Sequence, residues 1–239
     1  MSSTYLSLTN ELLRRLNEVE LDATTFDGAR NVQALAKDSI NSSVRELLHS
    51  AQEWPFTLIT YPQTLTVGQG SYSFPADTSS VDWESFYIKK LNDGNVPGKL
   101  PSVSYPEYIE RYRGQDEAAG TGGYGTPIVI GMTQESKFNV SPPPDQAYII
   151  EYKYWSFPTS LTLSTDICIV PDRFNNVIID GAMMFMMLFR SNEQSASIHK
   201  DKFEQGIKTM RRLLMDEPLH MRSTMLTKPT LSSRVLNGW

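Results

Sequence analysis

Apolar residues recur every three or four positions in the first fifty residues of the chain, a pattern that predicts two helices. The apolar face of the first consists of Tyr5, Leu8, Leu12, Leu16 and Val19, and Arg14, Arg15 and Glu18 lie on its other face. Asp27 is a good N-cap for the second helix. The apolar stripe of that helix consists of Val32, Leu35, Ala36, Ile40, Val44, Leu47, Leu48 and Ala51. We expect it to run to about Glu53 and to stop at Trp54, because the residue before a proline avoids the helical region.

From Phe56 onward, short runs rich in β-branched and aromatic residues alternate with turn residues, as is typical of strands. The predicted strands are 57–67, a return strand 71–74 after the turn at 68–70, then 83–91, 127–133, 137–140 and 147–157. A hairpin-like turn is expected at 92–95, and Ser104 with Glu107 forms a capping box that predicts a short helix over 104–112. In the last strand Tyr148, Ile150, Tyr152 and Tyr154 alternate with Ile149, Glu151 and Lys153, a half-buried pattern. Short strands at this spacing favour a small β-sandwich or folded sheet.

Helical periodicity returns after Asp172, which is expected to cap a helix over 173–190. This helix is apolar on nearly every side and is therefore expected to be buried on every side. Its apolar residues are Phe174, Val177, Ile178 and the run from Met183 to Phe189. An amphipathic helix follows, with Ile198, Phe203, Ile207, Met210 and Leu214 on one face, and ends before Pro218. From Leu219 to Trp239 no periodicity survives, which predicts an arm without a core of its own.

The order of these elements predicts an α+β protein. The helix predicted over 173–190, which is rich in methionine, cannot be covered by either chain end alone. We therefore expect residues 1–55 and 171–217 to form one four-helix bundle. An antiparallel, sandwich-like β-rich domain, residues 56–170, is then inserted in this bundle. Residues 218–239 form an extended C-terminal arm.

Composition and charge are those of an ordinary soluble globular protein, with 40% hydrophobic and 21% charged residues and a net charge of −5. A chain with a net negative charge is not expected to bind nucleic acid over its whole surface. Residues 1–189 carry 13 basic and 22 acidic residues, a net of −9, whereas residues 190–239 carry 9 and 5, a net of +4. The basic end is either a solvated helix face or a surface that docks on an acidic partner.

The single cysteine, Cys168, lies in an apolar run, so an intrachain disulfide and paired-cysteine metal sites are excluded. Its surroundings predict a buried, inert thiol in a reducing compartment. The N-terminus has no signal-peptide pattern, and the most apolar stretch, 177–189, is interrupted by Asp180 and Gly181 and is too short to cross a bilayer. We therefore expect a protein without a membrane partner.

The sequence predicts no catalytic, cofactor or metal site. His49, His199 and His220 are far apart, and the first two are expected to be ordinary helix-surface residues. The glycine-rich stretch 120–125 lacks the following helix and the Lys–Ser or Lys–Thr pair of a phosphate loop, so a surface loop is favoured. The acidic pairs Asp116–Glu117 and Glu107–Glu110 are expected to be solvated. The tyrosine-rich strand with Trp155 offers either core residues or a stacking face for sugars or bases, and the first is the commoner use of such a pattern.

Several segments together resemble one family, the head-to-tail adaptors of tailed phages, called tail tubular protein A in short-tailed phages. The similar segments are LLRRLNEV (12–19), AKDSIN (36–41) leading to EWPF (53–56), VGQGSYSFPAD (67–77), Pro127 before a strand, VSPPPD (140–145) and IEY (150–152). The resemblance covers roughly residues 5–215, and it rests on the order of the segments rather than on any one of them.

This resemblance implies a structural protein of the virion neck, assembled in the host cytoplasm, with no catalytic residue and no cofactor. Such adaptors form a homo-oligomeric ring, commonly of twelve copies, under the portal protein. The helical bundle packs against neighbouring subunits and faces the portal, and the β domain projects toward the tail nozzle. Viral DNA passes through the lumen without specific binding, and the ring helps to close the filled head.

The C-terminal arm is the candidate docking segment for the portal or for a neighbouring subunit. Its candidate contact residues are Met221, Met225, Leu226, Leu231, Leu236 and Trp239. Two other functions stay open: a virion protein whose β domain binds host carbohydrate through an exposed aromatic platform, and a cell-wall hydrolase with two carboxylates or a Cys–His pair in a cleft.

Overall fold

A computed structural model describes residues 3–50, 53–90, 98–112, 123–133, 136–157 and 159–215, and it shows an α+β protein. The α-helices among these residues are α1 (Tyr5–Arg15), α2 (Val32–His49), α3 (Tyr105–Arg111), α4 (Asn175–Phe189) and α5 (Glu193–Leu214). The strands are β1 (Leu58–Thr64), β2 (Ser71–Ser73), β3 (Thr78–Lys90), β4 (Gly98–Lys99), β5 (Ser102–Val103), β6 (Val129–Met132), β7 (Lys137–Ser141) and β8 (Tyr148–Ser156). The predicted α+β class is therefore confirmed.

The first predicted helix is confirmed as α1, but it ends earlier than the apolar pattern indicated. Asn17 takes a left-handed conformation (φ 57°), and the amide of Glu18 donates to the carbonyl of Leu13 at 2.9 Å. This is the hydrogen-bonded turn that commonly terminates a helix. Val19 therefore lies beyond the helix and is 77% exposed, so its assignment to the apolar face was wrong.

The second predicted helix is confirmed as α2, but both of its predicted ends were wrong. It starts at Val32 after Asn31, which makes no side-chain capping bond, and Asp27 is not its cap. It ends at His49 rather than near Glu53. The indole N–H of Trp54 donates to the carbonyl of Leu47 at 3.1 Å, so a side chain closes the helix end before the proline is reached.

The methionine-rich helix is confirmed as α4, preceded by a 3-10 turn at Asp172–Phe174. Asp172 does not cap it, because its carboxylate accepts hydrogen bonds from the amide and hydroxyl of Ser3, both at 2.8 Å. Burial on every side holds for the middle of the helix but not for its last turn, where Leu188 is 53% and Phe189 64% exposed. In the following helix α5 the expected apolar face is correct except for Ile198, which is 52% exposed.

One hydrophobic cluster contains buried residues of α1, α2, α4 and α5. The Ser43 hydroxyl on α2 donates to the Ile178 carbonyl on α4 at 2.7 Å. The N-terminal residues are also attached to the segment that precedes α4: the amide of Tyr5 donates to the carbonyl of Asp166 at 2.8 Å, and Thr4 forms a β-bridge with Ile167. Residues from the beginning and the end of the chain thus share one core.

The strands form two four-stranded sheets, in the orders β1–β8–β3–β4 and β2–β7–β6–β5. Among these eight described strands the pairings are antiparallel except for the short parallel pair β5–β6. The predicted hairpin between the first two strands was wrong, because β1 pairs with β8 and β2 pairs with β7. The chain crosses between the sheets after Leu65, which is 1% exposed, and the Tyr72 hydroxyl accepts from the Thr66 amide at 2.8 Å and fixes the crossing.

The two sheets face each other across an aromatic core. The alternation predicted for the last strand is confirmed, since Tyr148, Ile150 and Tyr152 of β8 are fully buried. The rings of Phe86 on one sheet and Phe138 on the other lie 5.5 Å apart, and both contact Tyr152. The predicted turn at 92–95 lies outside the described residues.

The short helix predicted after the third strand is confirmed as α3, although its capping box was wrong. Ser104 makes no side-chain capping bond. The Glu107 carboxylate instead accepts from Arg111 at 2.9 Å, an exposed pair one turn apart on the same helix.

Candidate docking surfaces

The residues predicted to dock on a partner all belong to the C-terminal arm and lie outside the described residues. They are Met221, Met225, Leu226, Leu231, Leu236 and Trp239. The described residues nevertheless expose large apolar side chains, and these fall in three parts of the chain. In the helices and their loops they are Val19, Leu188, Phe189, Ile198 and Leu213; before α4 they are Leu163 and Ile167; in the β-rich region they are Leu58, Ile59, Val67, Tyr87, Tyr105, Tyr124 and Ile128.

The loop after α1 and the end of α4 are joined by an ion pair between Glu18 and Arg190, with 2.8 Å between Oε1 and Nη2. We call the exposed side chains beside this pair, Val19, Leu188 and Phe189, the tip surface. They are 77%, 53% and 64% exposed. Apolar side chains bordered by charged groups are the usual composition of a protein–protein contact with a polar rim.

A groove of about 550 Å³ lies between α2 and residues 157–169. Several of its polar groups have partners within the chain: the side chain of Asn41 exchanges two hydrogen bonds with the backbone of Leu161, at 2.9 and 3.0 Å, and Arg45 donates to Ser160 at 3.1 Å. Ile167 in its wall is 62% exposed. This groove, which we call the connector groove, combines apolar side chains such as Ile167 with two charged residues, Arg45 and Asp166, in its lining.

In the lining of the connector groove, the carboxylate of Asp166 accepts hydrogen bonds from the amides of Thr162 and Leu163, at 2.7 and 2.8 Å. These bonds hold the pKa of Asp166 below its ordinary value, because they stabilise the charged form. The pKa of Asp172 is lowered in the same way, chiefly by the hydroxyl of Ser3 and then by its amide. Two ionised carboxylates therefore order the segment that connects the β-rich region to α4.

The two described histidines make separate contacts. His49 is exposed and its ring lies 4.8 Å from that of Phe157, and His220 is outside the described residues. His199 is not the surface residue that we expected: its side chain is 18% exposed, and Nδ1 lies 3.2 Å from Oδ1 of Asp180. Arg15 approaches the same carboxylate oxygen at 3.8 Å. This contact could not be predicted from the apolar pattern of α4, because Asp180 interrupts that pattern without indicating a partner.

The predicted burial of Cys168 is confirmed, since the residue is 6% exposed. Burial raises the pKa of its thiol, which disfavours the reactive thiolate. Within the described part of the chain, no group of three histidine, cysteine, aspartate or glutamate side chains is placed to hold a metal ion. The acidic pair Asp116–Glu117 and part of the stretch 120–125 lie outside the described residues.

The tyrosine-rich strand contributes to the core. Tyr148 and Tyr152 are fully buried and Tyr154 is 3% exposed, so these rings cannot stack on a ligand from solvent. The expectation that this pattern serves the core is confirmed. None of the described helices combines the length and the apolarity needed to cross a bilayer.

Comparison with known proteins gives the family. Residues 3–224 match the family model of the SU10 adaptor protein. No curated protein matches the chain. The matched range contains every segment on which the resemblance to phage adaptors was based, and that resemblance is confirmed. The chain therefore belongs to the SU10 adaptor protein family, a family of phage head-to-tail adaptors.

Proposed function

We propose that this chain is a non-enzymatic adaptor subunit that forms a ring between the portal and the tail of a tailed phage. The observation that carries the proposal is the family match over residues 3–224. The ring has twelve copies in this proposal, it assembles in the host cytoplasm, and it lies in the virion neck.

Within the subunit, we propose a four-helix bundle of residues 1–55 and 171–217, with the β-rich domain of residues 56–170 inserted between its halves. The hydrophobic cluster shared by α1, α2, α4 and α5 supports this division, as does the separate aromatic cluster of the two sheets. The bundle faces the portal and neighbouring subunits, and the β-rich domain points toward the tail nozzle.

A closed ring needs two different surfaces on each subunit, because each copy contacts one neighbour with one surface and the next neighbour with another. The tip surface and the connector groove are two such surfaces with different shapes and residues. Covering the exposed Phe189 and Ile167 in an interface removes apolar area from water, which stabilises the assembly. The arm residues named above add a third contact, to the portal or to a neighbour.

The charge distribution supports a lumen through which DNA moves freely. Residues 1–189 have a net charge of −9, and phosphate binding requires clustered lysine and arginine. An acidic wall repels the DNA backbone, so the genome passes without being held along the channel. The ring then helps to retain the packaged genome by closing the vertex, rather than by binding DNA.

The competing carbohydrate-binding function loses the tyrosines that favoured it, because Tyr148, Tyr152 and Tyr154 are buried, and Trp155 beside them is partly buried. The adaptor proposal is tested by native mass spectrometry of the purified chain, alone and mixed with the portal protein of the same phage. We expect a defined ring, or a portal with a full complement of adaptor subunits. A chain that stays monomeric and does not bind the portal would overturn the proposal.

A further inference from the structure

A second apolar groove, of about 510 Å³, lies between the start of α4 and the last turns of α5. We call it the α4–α5 groove. Phe174, in the turn before α4, and Val177 form one side of it, and Arg173 stands at its rim. The α5 side consists of Gln205, Gly206, Thr209 and Leu213. The Arg173 guanidinium lies over the ring of Phe174, 4.7 Å from its centre, so even the charged rim residue covers apolar surface.

The polar residues in the lining of this groove are Arg173, Gln205 and Thr209, and the rest of the lining is apolar. The hydroxyl of Thr209 donates to the carbonyl of Gln205 at 2.9 Å, which satisfies it within the helix and leaves its methyl group for the groove. A Cβ atom at Gly206 would lie 2.7 Å from a methyl carbon of Val177, so only glycine permits this close approach of the two helices. Leu213 is 62% exposed although it lies beside an apolar surface.

The two residues that follow Leu213 do not line the groove. Leu214 and Met215 pack against the helical core, whereas Leu213 and the groove face solvent. Arg211, one turn earlier, donates to the carbonyl of Ser50 at the end of α2. The last two described residues therefore lie against the subunit's core rather than in its own groove.

The residues that follow, 216–239, carry isolated large apolar side chains in a polar sequence, the first of them at Leu219, Met221, Met225 and Leu226. An extended chain spans at most about 3.3–3.6 Å per residue, so ten residues beyond Met215 can reach roughly 35 Å. That distance exceeds the ~30 Å length of a 20-residue helix, about the diameter of a small domain, and is enough to reach an adjacent subunit.

We infer that the α4–α5 groove of each subunit receives Met221, Met225 and Leu226 from the C-terminal segment of a neighbouring copy. This inference rests on the proposed ring and assigns the arm to a sister subunit rather than to the portal. Because the segment leaves one surface and enters another, the exchange is head-to-tail, the kind of contact that forms a ring when the rotation between successive copies closes.

Cysteine cross-linking tests the pairing directly, since Cys168 is buried and is the chain's only cysteine. In a Cys168→Ala background, full-length protein carrying Thr209→Cys and Met225→Cys is assembled with the portal and treated with a short bismaleimide. We expect a ladder of covalent multimers on a denaturing gel. The matched control moves the helix cysteine to the exposed position 202 (Lys202→Cys), which should give no ladder. Cross-linking only within single chains, or none at all in assembled rings, would overturn the inference.

A second pair of variants separates this inference from the proposed function. Leu213→Glu places a charge in the groove at a side chain that is already exposed, and Ile198→Glu places one at an exposed position of the same helix outside the groove lining. We expect Leu213→Glu to weaken self-association by about tenfold or more and Ile198→Glu to leave it unchanged. Equal association of both variants, in a wild-type protein that forms rings, would refute the groove contact alone. Failure of the wild-type protein to form rings, both alone and with the portal protein, would refute the proposed function instead.

Discussion

The hydroxyl of Ser43 donates a hydrogen bond to the carbonyl oxygen of Ile178 at 2.7 Å, joining two helices that are 135 residues apart in sequence. Both atoms are buried, so the bond forms where water cannot compete. Gly181 lies directly beside it: a Cβ atom at this position would come within 2.3 Å of the Ser43 oxygen and 2.8 Å of the Phe203 ring. Three helices, α2, α4 and α5, therefore meet at a point where no further atom fits.

Adding a methyl group at this point should destabilise the protein. For Gly181→Ala we expect a net loss of about 1–3 kcal/mol of unfolding free energy, because overpacking outweighs the roughly 1 kcal/mol by which alanine favours a helix over glycine. Urea denaturation followed by circular dichroism measures this loss. Gly28→Ala is the matched control, since a Cβ there would meet only the carbonyl of Thr25 at 3.8 Å. Equal stabilities for the two variants would show that the helices do not meet as described.

The middle and the end of α4 should respond differently to truncation. Met186 is fully buried and Leu188 is 53% exposed, although the two are only two positions apart in an almost uniformly apolar helix. We expect Met186→Ala to cost about 2–5 kcal/mol and Leu188→Ala less than about 1 kcal/mol. Chemical denaturation of both variants measures the difference. A cost at Leu188 as large as that at Met186 would mean that the last turn of α4 is buried in the subunit.

Acid should loosen the attachment of the N-terminus to the segment before α4. The folded-state pKa values of Asp166 and Asp172 are lowered, so their ionised forms stabilise the folded state fully above the ordinary carboxyl pKa, about 3.9. This contribution is lost as pH falls through the lowered values. We expect amide exchange at Tyr5 and Leu6 to accelerate below about pH 4, relative to intrinsic exchange at the same pH.

The double variant Asp166→Asn, Asp172→Asn is the control for this pH effect. It lacks both ionisable groups, so it should show faster exchange at neutral pH and a weaker dependence on pH in the acid range. If its exchange follows the same pH curve as the wild-type protein, the two carboxylates do not hold the N-terminus.

The tip surface should matter for assembly and not for folding. Phe189 is 64% exposed, so Phe189→Ser should leave the melting temperature nearly unchanged while weakening ring formation. Differential scanning calorimetry and native mass spectrometry give the two measurements. Val67→Ser removes another exposed apolar side chain, 55% exposed in the β-rich region, and should affect neither. If the Phe189→Ser variant assembles as well as the wild-type protein, the tip surface is not part of the interface.

Helix and strand positions could be predicted from the sequence wherever a strong periodic pattern existed, but their ends could not. The apolar stripe of α1 includes Val19 in sequence, yet the left-handed Asn17 turns the chain before it. The end of α2 depends on Trp54, whose indole reaches back to Leu47. Such side-chain bonds depend on tertiary packing, which a periodic pattern does not contain.

Strand pairing and contacts between residues distant in sequence could likewise not be predicted from the sequence. The Gly68–Gly70 turn predicted a hairpin, but the long-range pairing of β1 with β8 and of β2 with β7 determined the sheets. The contact of His199 with Asp180 joins two helices through residues that look unrelated in sequence. The family could be recognised because the order of short segments is preserved along the chain, whereas the predicted docking residues 221–239 stay a prediction.

The central claim, that this chain forms a ring between portal and tail, is tested most directly by a cryo-electron microscopy map of the neck of the phage particle. We predict a closed ring of twelve subunits with this α+β fold directly below the portal, with the helices toward the portal and the sheets toward the tail. A neck map whose densities are all accounted for by other chains, with this protein absent from the particle or present only as single copies elsewhere, would contradict the account.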